Sequence, residues 1–459
     1  MSTNPRHLAL EVLNRLERTG ILLDPLLEEV LADADFKDPR DRTLFHALVF
    51  GTLRWRGRLD WGIGRFSKIP PAKIEPAVMN ILRLGLYQAV FLDRIPVSAA
   101  VNTAVELAKR TSAAHVAGFV NAVLRNAVRN WGKVPLPDPK HDPAKHLAVR
   151  FSLPRWLTGR WLDRLGPDES EALCRTINEI PPISARVNTL LTDRPRLIET
   201  LEKECREVAT GSVSPDAVLF RSPAVSVPEL ESHRKGWFQV QDEAAQLVVR
   251  LLDPQPGERL LDACAGLGGK TGHIAQRMGD KGRIVAAEKE IQKLDRLAAE
   301  MRRLSVSAVE PVAADLLAPS GPFAEPFDRI LLDAPCSGLG VLRRNPDARW
   351  RTEKNDLDRY ADVQRRLLSR TSRWLRPGGR LVYTVCTTEP EETEAVVAAF
   401  LRANTDFSVE TGPKHDPVVS ALIDARGFFH TEPHRHGTDG FFAVALTRDR
   451  GSFPGKQEA

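Results

Sequence analysis

Two cysteines stand where a thiol could react. Cys336 lies in Asp333-Ala-Pro-Cys336-Ser-Gly338 and Cys386 in Val382-Tyr-Thr-Val-Cys386-Thr-Thr-Glu-Pro-Glu-Glu392, each just past an apolar run that reads as a β-strand. A cysteine is most often a small buried apolar side chain, and either one alone would be read so. Pro335 and Pro390 instead mark both as loop residues on what should be neighbouring strands, which favours reactive thiols. A reaction that needs such a thiol is methylation at carbon 5 of a pyrimidine, because that carbon is not nucleophilic until a thiolate adds to carbon 6 and makes an enamine. Asp333 is the carboxyl group available to assist at ring nitrogen 3. The base must also leave any stack to be attacked perpendicular to its ring.

A second constellation would hold a ligand beside these thiols. Leu260 and Leu261 lead to Asp262, and the chain opens into the turn Cys264, Ala265, Gly266, Leu267, Gly268, Gly269, Lys270. Its glycines let backbone approach a ligand, and the helical spacing of Ile274, Ala275 and Met278 puts a helix N-terminus against it. The next strand, Arg283 to Ala287, ends in Glu288, placed 20 residues after Gly268, where an acid suits a ribose diol. Such a turn serves a nicotinamide dinucleotide or S-adenosylmethionine. The dinucleotide fingerprint wants glycine at its sixth place; counting from Gly266 that place is Thr271, which leans toward the methyl donor. Asp315 and Asp333 follow at further strand ends; one such acid is often a helix cap, but Asp262, Glu288, Asp315 and Asp333 recur in successive units.

The elements around these motifs set the fold class. At 459 residues the chain exceeds one ordinary domain. Apolar residues recur at three and four from Leu8 to about residue 130, giving an all-α bundle. Pro135, Pro137, Pro139 and Pro143 read as a linker. Helices at Trp156 to Leu165 and Glu169 to Asn178 then precede a strand at Ile183 to Val187, a helix from about Pro195 to Val208 and a strand at Ala217 to Phe220. From Trp237 on, strands and helices alternate, as in an open, mostly parallel sheet with helices on both faces.

Composition narrows the class further. No apolar run of about 18 residues and no signal block behind Arg6 point to a globular protein that stays where it is made. Five cysteines without a C-x-x-C pair argue against a disulfide framework or a zinc site and fit a reducing cytosol. A net charge of +5 is mild for a nucleic-acid binder, but the arginines cluster. Arg40, Arg42, Arg54, Arg56, Arg58 and Arg65 crowd one early segment, and Arg343, Arg344, Arg349 and Arg351 surround Pro346 beside the Cys336 motif; RNA contact is the expectation for the second group.

The thiol motifs, the glycine turn and the strand-end acids together resemble the Nol/Nop/Sun family of RNA cytosine-C5 methyltransferases. Asp41 to Arg56, Arg94 to Lys109 and Phe119 to Asn126 resemble the NusB-like RNA-binding fold. The resemblance implies a NusB-like domain over residues 1–134, a small α/β subdomain over 145–235 and a Rossmann-like methyltransferase domain over 236–450. It further implies Cys386 as nucleophile, Cys336 in release of the methylated RNA and Asp333 at the base. Cys264, Ala265, Gly266, Leu267, Gly268, Gly269 and Lys270, with Glu288, Asp315 and Asp333, would bind S-adenosylmethionine. The partner implied is 16S ribosomal RNA rather than the assembled subunit, the protein being a cytoplasmic monomer with no membrane and no metal. Arg186 to Thr189 and Asp439 to Phe442 also match family segments. Gly266 and Leu267 stand for the family's Ala-Pro, Val385 for the Thr before the nucleophile, and Thr393 for the Asn after Pro-Glu-Glu. All three departures leave the acids and thiols intact. A catalytically silent RNA-binding factor and a Rossmann oxidoreductase are the competing readings; the second does not account for two loop cysteines.

Overall fold

The computed structural model describes residues 3–111, 114–318, 321–411 and 416–451. The chain packs as two units, Met1–Glu179 with Leu342–Lys354, and Ile180–Val341 with Asn355–Ala459.

The first unit is helical. Its longest helices are Pro5–Thr19, Pro39–Phe66, Pro76–Phe91, Val97–Thr111 and Ala114–Asn130. Asn4 and Asp38 cap the first two by accepting backbone N–H bonds, with Pro5 and Pro39 at the first helical position, where a missing N–H costs nothing. Apolar stripes such as Ala9, Leu10, Val12, Leu13 and Phe45, Leu48, Val49 close one core. The proline segment follows the helix Ala114–Asn130, yet the helices Pro143–Arg150, Arg155–Leu165 and Pro167–Thr176 still belong to this unit, and the units part at residues 179 and 180.

The segment 342–354 belongs to the helical unit because Arg349 is fully buried there. Its guanidinium donates to the carbonyls of Arg54, Ser152, Ile177 and Leu342 and, at 2.8 Å, to Asn178 Oδ1. Arg54 answers with a 2.6 Å bond to the Arg343 carbonyl, and Trp350 Nε1 donates to Leu53 O at 2.7 Å. This corrects the expectation of RNA contact for two of the four arginines, since Arg343 and Arg349 are 6% and 0% exposed while Arg344 is half-buried and Arg351 exposed; Arg54 of the early cluster is 5% exposed. Guanidinium groups that satisfy buried carbonyls leave nothing for a phosphate.

The second unit holds two sheets. The smaller is antiparallel, with order β2-β3-β1-β4: β1 is Ile183–Val187, β2 Cys205–Thr210, β3 Ala217–Pro223 and β4 Phe238–Val240. The helix expected to run to Val208 stops at Glu204, since Cys205–Thr210 pairs with β3 as a hairpin; ladder pairing overrides the local spacing. Among the described residues the larger sheet has eight strands. Its parallel block runs β9-β8-β5-β6-β7, formed by β5 Arg259–Ala263, β6 Arg283–Glu288, β7 Val309–Ala313, β8 Phe327–Asp333 and β9 Leu375–Val385. Three strands not foreseen extend it antiparallel: β10 Phe407–Val409 and β11 Phe428–Thr431 pair with β12 Phe441–Arg448, which pairs with β9. Alternate side chains enter opposite cores. Leu260, Ala286, Leu331 and Val382 lie on one face, and Leu261, Val285, Ile330, Leu332 and Leu381 on the other, so the strands read as continuous apolar runs.

Candidate functional site

At the carboxyl end of β5 the chain makes the turn that would hold a ligand. Cys264, Gly266 and Gly268 all have positive φ, and Gly268 cannot be replaced: a Cβ there would lie 2.8 Å from Leu297 Cγ. Over Gly266 the space is open. Gly268 N donates to Ala265 O, closing the turn into the helix Gly269–Arg277. Glu288, at the end of β6, receives Gly266 N on one carboxylate oxygen and Lys289 N and Glu290 N on the other. The acid is thereby aimed beside the turn with acceptor capacity to spare. Asp315, two residues past β7, pairs with Lys289 at 2.9 Å. Burial pushes the Cys264 thiol up to about 12, with the carboxylates of Asp333, Glu288 and Asp262 adding to it.

Asp262 is buried inside this turn. Thr271 Oγ1 donates to its Oδ2 at 2.6 Å, while Oδ1 has no protein partner. Burial pushes its carboxyl up to about 7, Thr271 opposing and Asp333 adding to the shift. A carboxyl raised in the folded state binds its proton more tightly there than when unfolded, so stability falls as pH rises from about 4 to about 7 and levels off above. Asp262→Asn keeps an acceptor for Thr271 and removes the titration. Urea melts at acid and neutral pH should show the wild type losing stability, on the order of 1 to 4 kcal/mol, across a range where the variant stays flat. The same decline in both proteins would contradict this.

Arg186, from β1, ties the smaller sheet to the turn. It is fully buried, and it donates to Gly269 O at 2.8 Å, Gln276 Oε1 at 2.9 Å, Gln239 Oε1 at 2.7 Å and Gln241 Oε1. Asn188, two residues on, donates to Gly236 O and Leu304 O. The segment Arg186 to Thr189 thus acts through the frame of the turn.

The thiols meet at the ends of β8 and β9. Cys336 Sγ and Cys386 Sγ are 3.2 Å apart and both cysteines are half-buried. Their hydrogen bond, followed by burial, pushes the Cys336 thiol well up. Lys270 Nζ, 5.3 Å from the centre of the Phe441 ring, donates to Asp333 Oδ2 at 2.6 Å. Burial works to lower the ammonium of Lys270, but Asp333, with Cys386 and Asp262, outweighs it and holds the group above its ordinary range. Three loops are stitched together here. Gly340 N donates to Cys386 O and Gly440 N to Gly340 O, and a Cβ at Gly340 would sit 1.9 Å from Gly440 O. Asp439 to Phe442 therefore closes the floor of the thiol site.

Cys386, Cys336, Asp333 and Lys270 form one cluster, and the turn with Glu288 lies along the same edge of the sheet. Lys270 was expected only at the ligand turn; its pairing with Asp333 joins residues 63 apart in the chain, a relation no local pattern encodes. Gln364 and Glu392, which brace the Cys336 loop, also escaped the sequence reading. Glu392 lies in the quoted Pro-Glu-Glu run, and an acid followed closely by the buried Val396 and Val397 was the available signal.

Comparison with known proteins agrees over nearly the whole chain. The family described as 16S rRNA methyltransferase RsmB/F matches residues 249–447, the NusB family residues 3–129, and the RsmF/B-like ferredoxin-like domain residues 153–227. A Bacillus subtilis protein bearing the name "Probable ribosomal RNA small subunit methyltransferase B" is 36% identical over 97% of this chain and 99% of its own. Ribosomal RNA small subunit methyltransferase B of Pseudomonas syringae pv. tomato is 38% identical over 79% of each chain. The crystal structure of PH0851 superposes with a TM-score of 0.80 at 28% identity, over 98% of this chain and 100% of that one.

Proposed function

Because the chain belongs to the ribosomal RNA small subunit methyltransferase B family, we propose that it transfers a methyl group from S-adenosylmethionine to carbon 5 of a cytosine in 16S ribosomal RNA through a covalent adduct on Cys386. The observation that carries this reading is the pair of thiols 3.2 Å apart beside the Lys270–Asp333 ion pair.

The residues around the turn suit the donor. Open backbone at Gly266, the N-terminus of the helix Gly269–Arg277 and the braced carboxylate of Glu288 match a charged amino-acid tail and a ribose diol. Asp315 would face the base of the donor. When bound, S-adenosylmethionine supplies an electrophilic methyl group on sulfur. Glu288→Ala should weaken its binding by about 1 to 3 kcal/mol, the cost of leaving hydroxyls without a charged acceptor; equal affinity for mutant and wild type by calorimetry would count against this site.

The chain's own groups do the rest. Cys386 thiolate adds to carbon 6, the 5,6 double bond opens, and carbon 5 becomes nucleophilic. Asp333 is bonded to Lys270, so the pair acts together: its carboxylate accepts from the cytosine amino group, and the Lys270 ammonium donates to the acceptors beside it. Uracil, with a carbonyl in place of that amine, would meet the carboxylate with an acceptor and be disfavoured. After transfer, the sulfur of Cys386 is neutral and no longer holds the Cys336 proton. Cys336 then loses that proton to water and takes the hydrogen from carbon 5. The double bond re-forms and the carbon–sulfur bond breaks, returning Cys386 as thiolate.

Labelled methyl transfer to a deproteinised 16S transcript and to assembled small subunits tests the reading. Incorporation into the free RNA is expected to exceed that into the particle, because the base must be extruded from any stack. Incorporation into neither would overturn it.

A further inference from the structure

The release cysteine is held by a carboxylate that the chemistry itself does not use. Glu392 is fully buried, six residues after Cys386. Its Oε2 accepts Ser337 N at 2.9 Å and Gln364 Nε2 at 2.9 Å, and the same Gln364 nitrogen donates to Pro335 O at 3.0 Å. Cys336 is therefore pinned on both sides, through the carbonyl before it and the N–H after it. The far end is anchored as well, since Tyr383 OH, three residues before Cys386, donates to the Glu392 carbonyl at 2.6 Å. Ser337 Oγ adds a 3.3 Å bond to Thr387 Oγ1, next to Cys386.

We infer that Glu392 is a positioning residue for the second half of the reaction: with Gln364 it forms a buried bracket that sets Cys336 against Cys386. A carboxylate in this place without a cation is costly unless its bonds repay it, and both of its bonded donors are spent on the Cys336 loop. Burial, partly opposed by Ser337, pushes its carboxyl up, as expected of an acid kept for hydrogen bonding. Oε1 has no partner, so an amide in place of the carboxyl would preserve every bond the structure contains.

This rests on the reading of Cys336 as the release group, and the test separates the two. On a denaturing gel with labelled RNA, Glu392→Ala should complete a first methyl transfer and then accumulate covalent RNA, with release slowed about 100-fold, as for a reacting group displaced by an ångström. Glu392→Gln should release RNA as the wild type does. A Glu392→Ala protein that turns over normally, or a Glu392→Gln protein that traps as strongly, overturns the inference. If Glu392→Ala loses the first transfer too, Gln364→Met decides: it frees Pro335 while the carboxylate keeps Ser337, and trapping supports the bracket whereas normal release removes it. Cys336→Ser runs beside them. Should it fail to trap, the release role falls and takes this inference with it; should it alone trap, only the bracket is wrong.

Discussion

Cys336→Ser will methylate its RNA once and then hold it through denaturation, whereas Cys386→Ser will neither methylate nor form an adduct. The two sulfurs are 3.2 Å apart and both half-buried, so position alone does not separate them, and the assignment is the one the proposed reaction requires. Its hydrogen bond to Cys386, followed by burial, pushes the Cys336 thiol up, which suits the proton-holding partner in the proposed assignment. A serine at residue 386 is barely ionised near neutral pH, and the neighbouring Lys270 ammonium is committed to Asp333. Loss of a covalent nucleophile costs a factor on the order of 10⁴ to 10⁶. With serine at residue 336 the attack and the transfer still proceed, but the hydrogen on carbon 5 has no base to take it and the adduct persists. Trapping by Cys386→Ser and not by Cys336→Ser would reverse the assignments.

Arg186→Met should be the most destabilising single change in the second unit. The side chain is 0% exposed and donates to three glutamine amides and to the first carbonyl of the helix that closes the ligand turn. Burial pulls the guanidinium down to about 9, offset in part by Asp216 and Glu300, so the hydrogen bonds must carry the charge. Methionine fills the volume but leaves those buried oxygens without donors, at a cost of about 3 to 5 kcal/mol. For a unit of this size that lowers Tm by roughly 6 to 20 °C. Because Gly269 O is one of the acceptors, affinity for S-adenosylmethionine should fall with it. Scanning calorimetry with and without the donor checks both, and an unchanged Tm would show that the glutamines re-pair among themselves.

The parallel block of the sheet was readable because strands covered on both faces are continuous apolar runs, and Asp262, Glu288 and Asp333 punctuate their ends. The adjacency of the two thiol loops followed from that order and is what the structure has. Strands β10 and β11 escaped because three or four residues carry too little periodicity, and β2 because Leu197 and Leu201 extend a helical pattern up to a hairpin that only β3 defines. Arg349 misled for a related reason. An arginine-rich loop looks the same whether its guanidinium groups meet phosphates or buried carbonyls, and which of these holds depends on Arg54, Ser152 and Ile177, between 172 and 295 residues away along the chain. Glu392 and Gln364 show the limit most plainly: both are ordinary polar residues by type, and their roles exist only as bonds to Pro335 and Ser337.

The atom that receives the methyl group is the point on which the account turns. Nucleoside mass spectrometry of 16S RNA methylated by the purified protein, compared with RNA treated with Cys386→Ser, identifies it directly. The account predicts 5-methylcytidine as the new nucleoside, absent from the Cys386→Ser sample. A methyl group on an exocyclic amine or a ribose hydroxyl, or 5-methylcytidine formed equally well without the Cys386 thiol, would contradict it.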